Sequence, residues 1–253
     1  MLTLMVIYGR LVTWLRFWLG LSTTNTPHRG HFSVVTADFE TGNLVQVASV
    51  QASYPESLVV VASPVRSGKY ALRAVCLESD PPVALHNHRS EVIVGGTVTG
   101  EHWYGISIYL PTDWSDTPAG YHLVTQWHTA ATGAMQPLQL NIHDDKATWE
   151  RWDGFSGSAV RTVLHRSLNA PLKGVWTDYV VHAKWTESEY GYIQIWQRGS
   201  QIVDFAGRTL TVGGGGCYWK AGCTYTVADT KTVYIDEMRM AGSDGNYITV
   251  APR

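Results

Sequence analysis

Three short stretches of the 253-residue chain hold side chains that could do chemistry. In YHLVTQWH, residues 121–128, strand alternation puts Gln126 and His128 on one face and Trp127 on the other. A lone strand histidine is more often structural, but an amide beside an imidazole supplies a polar clamp and a titratable base together. HNHRSEV, residues 86–92, packs His86, His88, Arg89 and Glu91 into six positions. Read blandly, that is a surface ion pair with two histidines, contributing little. Read for chemistry, it offers an arginine able to pair with a carboxylate. CYWKAGCTYT, residues 217–226, gathers Tyr218, Lys220 and Tyr225. Tyr218 and Lys220 share strand parity, while the Ala-Gly that follows allows a bend or bulge re-aiming Tyr225. A phenol near a cationic cluster is poised for proton transfer.

The elements that must position these groups read as strands. HFSVVTADFETGNL opens the domain, and SLVVVASP, YALRAVCL, WYGISIYL, YHLVTQWH, LQLNIHD and ATWERWD follow. DYVVHAKWT, YIQIWQR, QIVDF and KTVYIDEMRMA complete the set. Several alternate apolar and polar residues with period two, as half-buried antiparallel strands do, and Thr-Gly-Asn, Ser-Gly-Lys, Asp-Gly and GGGG punctuate them. No helical periodicity extends past about residue 25, and no repeat or linker divides the chain. The pattern predicts one all-β sandwich or jelly roll.

Composition narrows the partners. Hydrophobic residues at 45% and charged residues at 16% suit a soluble globular protein with a sizeable core. A net charge of -2 gives no basic field for nucleic acid. Eleven Trp and thirteen Tyr serve either as sheet core or as flat platforms for sugar rings. Cys217 and Cys223 can staple a bent strand if their Cβ atoms face each other, which would argue for an oxidising compartment, and Cys76 is left over. Residues 1–30 form a separate apolar segment, read as helical, ahead of a domain at 31–253. Arg10 and Arg16 interrupt it, so it is a poor membrane span. An atypical export signal, an interfacial helix associating residues 1–25 with a membrane, and a docking helix all fit. His86 and His88 suggest a metal site, but no metal-ligand spacing such as HExxH supports one.

Taken in order, RSEV, QWH and YWKAGCTY resemble the R-[ST]-E-[LV], Q-[IVW]-H and Y-[FW]-K-x-G-x-Y motifs of jelly-roll polysaccharide lyases, the alginate lyases and glucuronan lyases. WYGISIYLPTDW and DFETGNL look like the glucuronan-lyase and heparin-lyase-like branch, and the resemblance runs from about residue 37 to 241. Two residues separate Gly222 from Tyr225, where the family more often has one. The resemblance implies a concanavalin A-like β-jelly roll of two antiparallel sheets. It further implies β-elimination on a uronic-acid polysaccharide, with glucuronan favoured, by a secreted enzyme. Matched position by position, Arg89 and Gln126 would neutralise the substrate carboxylate, and His128 and Tyr225 would move protons. Tyr218 and Lys220 would bind the substrate, and His88 is a further candidate for the base or for carboxylate binding. No cofactor is required; some relatives hold a structural calcium, although no recognisable calcium loop is present here.

Two other functions compete. A glycosidase needs paired carboxylates flanking the bond, and the adjacent Asp236 and Glu237 alternate to opposite faces in what reads as the closing core strand. A non-catalytic lectin on the same fold would use the aromatics but would not need Gln126, His128 and Tyr225 together.

Overall fold

The computed structural model describes residues 33–81, 83, 88–114, 122–143, 146–171, 173–225 and 230–253, with Tyr225 described by its backbone alone. The N-terminal segment 1–30 and His86 lie outside these residues. So do the helical reading of that segment and the three roles weighed for it.

Alternating residues make strands here as the pattern dictates: in YIQIWQ, Ile193 and Ile195 are buried while Tyr192, Gln194 and Trp196 are only partly so. Fifteen strands occur among the described residues: β1 (Val34–Ala37), β2 (Ser49–Ala52), β3 (Leu58–Val61), β4 (Ala71–Cys76), β5 (His88–Val98), β6 (Gly100–Tyr109), β7 (His122–Thr129), β8 (Leu138–His143), β9 (Lys146–Asp153), β10 (Val160–Arg166), β11 (Trp176–Trp185), β12 (Tyr192–Gln197), β13 (Ser200–Ala206), β14 (Cys217–Tyr225) and β15 (Lys231–Ala241). One four-residue helix, α1 (Tyr247–Val250), follows.

The strands form two antiparallel sheets, giving the all-β jelly-roll sandwich expected. One runs β13-β12-β11-β6-β15-β4-β3 with β1 also on β15; the other runs β10-β9-β8-β7-β14-β5-β2. Between them lies an aromatic centre. Trp127 and Trp219 stack at 5.8 Å, and Tyr104 meets both edge-on at 5.0 and 5.2 Å. Two indoles find partners inside, Trp185 Nε1 donating to Tyr104 Oη at 2.8 Å and Trp219 Nε1 to Thr125 Oγ1 at 2.9 Å, while Trp127 Nε1 is buried without one.

Two expectations change. Cys217 and Cys223 are unbonded and buried. They sit at opposite ends of β14, where six residues span roughly 20 Å, far beyond the Cα separation a disulfide allows. Cys76 instead meets the second of them, its Sγ donating to the Cys223 carbonyl at 3.2 Å across the sandwich. Asp236 and Glu237 do not alternate simply, because β15 bulges between Asp236 and Arg239 with Glu237 at φ 57°. β15 is nonetheless the last strand and a core one, as expected, lying between β6 and β4.

Candidate active site

Trp127 and Trp219 point into the core, and alternation therefore turns their sequence neighbours outward. Tyr218 lies opposite His128, and Lys220 opposite Gln126, on the adjacent strands β14 and β7. On the other side of β14, Gly222 lies opposite Glu91 and Thr224 opposite Arg89. Arg89, Gln126, His128, Tyr218 and Lys220, drawn from three distant parts of the chain, thus share the outer face of the seven-stranded sheet.

His128 Nδ1 lies 2.9 Å from the Thr129 carbonyl. A carbonyl oxygen only accepts, so Nδ1 carries the proton and Nε2 keeps its lone pair. Burial pushes the imidazole below its ordinary value, with nearby Lys220 and Arg89 pushing the same way against the Thr129 bond and Glu91. The ring is a neutral base with its basic nitrogen free. Tyr218 stands beside it, the ring centroids 5.3 Å apart. Its phenol is raised above its ordinary value, by burial first and then by Glu91, so it holds its proton at neutral pH.

Beneath these groups lies a buried carboxylate. Glu91 Oε1 accepts from Gln126 Nε2 at 2.6 Å, and Oε2 pairs with Lys220 Nζ at 2.5 Å. Lys220 is fully buried and Glu91 1% exposed. The bland reading of Glu91 as half of a surface ion pair is therefore corrected: it is a core anchor for two of the predicted residues. Burial alone would raise its carboxyl, but Lys220, the Gln126 amide and Arg89 together hold it below the usual value. Burial likewise lowers the Lys220 ammonium against the pull of Glu91. Glu91 is therefore a carboxylate at neutral pH.

The same contact orients Gln126. One amide proton is committed to Glu91, and Oε1 is buried without a hydrogen-bond partner. Arg89 Nη1 makes a long bond of 3.4 Å to Gln51 Oε1, while its Nε is buried and unpartnered. These idle polar atoms suit a site awaiting a polar ligand. Tyr225 falls opposite both His88 and His122 at the end of the sheet. Its ladder with β5 is unbroken from Trp219 onward, so His88 and Arg89 occupy alternate faces. No group of three or more His, Cys, Asp or Glu placed to hold a metal ion occurs among the described residues.

A family model described as polysaccharide lyase matches residues 39–239. The chain belongs to the polysaccharide lyase family. No curated protein sequence matches it. Among solved structures, this lyase is similar to an endo-beta-1,4-glucuronan lyase from the fungus Trichoderma reesei, at 20% identity and TM-score 0.68, covering 83% of this chain and 96% of that one. It also resembles family 7 alginate lyase A1-II' in complex with its substrate (12% identity, TM-score 0.57, 76% and 84% covered). Cellulose induced protein Cip1 is another neighbour, at 14% identity and TM-score 0.56, with 82% and 96% covered.

Within this lyase, motif reading missed Glu91 as an anchor, although it stands in RSEV two residues from Arg89 and hence on the same face. It also missed Thr224. The β14–β5 register pairs Thr224 with Arg89, and its Oγ1 is buried and unpartnered. One residue separates Thr224 from Gly222, which is the spacing the family motif gives its tyrosine.

Proposed function

We propose that this polysaccharide lyase cleaves a uronic-acid polysaccharide, glucuronan-like in backbone, by β-elimination. The observation that carries the reading is the state of His128: a neutral imidazole with its Nδ1 proton fixed on Thr129 and Nε2 unoccupied, set among Arg89, Lys220 and Gln126. Abstraction of the C5 proton is opposed by the adjacent substrate carboxylate. Cations and amide donors aimed at that carboxylate stabilise the developing charge, and this is the largest single contribution such a site makes.

His128 Nε2 takes the C5 proton. The electron pair forms the C4–C5 double bond as the C4–O4 bond breaks, and a phenol protonates the departing O4. One fragment gains a 4,5-unsaturated uronate at its non-reducing end; the other gains a reducing end. Arg89 supplies positive charge at the carboxylate, and Gln126 retains one amide proton for it; Lys220, expected to bind substrate, is instead sealed on Glu91 and holds that carboxylate in place. Tyr225 fills the acid role by its place in the motif. Tyr218 is a second phenol for that step, favoured by its position beside His128. We assign the enzyme to the outside of the cell, where such polymers lie, and to metal-independent chemistry, so a chelator should leave its rate unchanged.

The test is to mix the purified protein with glucuronan, alginate, heparin-type and hyaluronan solutions and follow near-ultraviolet absorbance. The conjugated double bond gives a rise on the true substrate. Tyr225→Phe and Tyr218→Phe, measured side by side, identify the acid by which one loses roughly 10²–10⁴-fold in rate. Absence of a rise on every polymer, with one of them still bound, would leave a lectin and end the lyase proposal.

A further inference from the structure

The outer face that carries Gln126 builds the same arrangement a second time. In the first, Glu91 Oε1 takes the Gln126 amide and Oε2 takes Lys220. In the second, Glu150 Oε1 accepts from Gln139 Nε2 at 2.5 Å and Oε2 accepts from Arg161 Nε at 2.5 Å, with Arg161 Nη2 on the same oxygen. The two are joined in register: Gln126 pairs with Gln139, and Gln139 with Glu150. Glu150 and Gln139 are 2% and 4% exposed. The cations differ. Lys220 is sealed, whereas the Arg161 side chain is 42% exposed. Two of its five N–H groups are on Glu150, so Nη1 and one Nη2 proton have no partner among the described residues. Trp152, half-buried, pairs with Arg161 across β9 and β10. It lies two residues beyond Glu150 as His128 lies two beyond Gln126, and β7 and β9 run the same way, so Trp152 and His128 fall in one row across the strands.

From this repetition we infer that Arg161, braced by Glu150 and flanked by Trp152, is a second carboxylate-binding subsite for the acidic polysaccharide. It lies three strand spacings from His128, roughly 14 Å. A buried carboxylate fixes the fork of the guanidinium from one side, leaving Nη1 free to pair with a uronate carboxylate on the other. Trp152 supplies the flat face for the sugar ring. The inference rests on the polyuronate reading above, and it concerns how far along the chain the enzyme grips.

The experiment has two arms. In the first, proteins carrying His128→Ala, which spares the polymer, migrate through gels holding glucuronan, alginate or a neutral β-glucan, with and without Arg161→Gln. Arg161→Gln should weaken retention by the preferred polyuronate roughly tenfold and leave the neutral polymer unaffected. In the second, Arg161→Gln in the otherwise native enzyme should raise KM on the polymer by a similar factor with kcat unchanged. Unchanged retention and KM would overturn the subsite. If Arg161→Gln fails to fold, Arg161→Lys, which keeps the charge but not the fork, takes its place and must also weaken retention. Retention that depends on Arg161 in a native protein with no elimination activity would sustain the subsite and sink the lyase reading. Elimination with an Arg161-independent KM would do the reverse.

Discussion

The proposed base, His128, has its tautomer set by one bond of 2.9 Å to its own neighbour's carbonyl. Because burial holds its imidazole below the ordinary value of 6.5, the neutral, basic form persists at pH values where an exposed histidine would be charged. The acid limb of kcat/KM against pH should therefore fall below 6.5, with a slope of one proton; a limb above that value would exclude His128 as the base. His128→Ala should cost roughly 10²–10⁴-fold in rate. Glu91 acts at the same scale by holding Lys220 and Gln126. Glu91→Gln leaves a buried ammonium without its counter-charge, at a cost of about 3–5 kcal/mol, measurable by denaturant unfolding. The sign with pH follows from its lowered carboxyl: the pair stabilises the fold above the unfolded carboxylate value, and that stability is lost as pH falls through the folded one.

Strand β14 shows what an element contributes beyond its residues. Gly222 sits at φ +145°, and a Cβ there would lie 2.1 Å from the Ser90 carbonyl on β5. Gly222→Ala should part the two strands that carry Lys220 and Glu91, costing at least roughly 1–3 kcal/mol in thermal stability and removing activity with it. Alternation along β7 and β14 was legible in the sequence, and it correctly put Gln126 with His128 and Tyr218 with Lys220. The contact between Glu91 and Lys220 was not, because their residues stand far apart in the chain and only the β5–β14 register brings them together. β2 and β10 escaped notice as strands. In VRTVLHR the outward positions include Arg161 and the apolar, exposed Val163, so the polarity does not alternate cleanly. With β10 went Arg161 itself. The expected staple between Cys217 and Cys223 failed for a geometric reason that spacing alone cannot reveal: β14 does bulge between Ala221 and Thr224, as the Ala-Gly suggested, but it stays extended and holds the two apart.

At the scale of the molecule, the core and the site are one construction. Trp127 and Trp219 are the inward partners of the very residues that face outward, so the aromatic centre sets the aim of His128 and Lys220. Trp127→Ala should cost about 3–5 kcal/mol and depress kcat as well as the melting temperature, since the void lies directly beneath β7. The C-terminal turn packs on the opposite sheet, where Gly105 lets the chain pass so near that a Cβ would lie 1.8 Å from the Val250 carbonyl. The three thiols, buried between or against the sheets, lead somewhere different. Burial pushes the Cys217 and Cys223 thiols well above their ordinary value, which withholds the reactive thiolate while the sandwich is shut. An alkylating probe therefore becomes a clock for the opening of the two sheets: the native enzyme should resist it, and the rate at which label arrives should be the rate at which the sandwich comes apart.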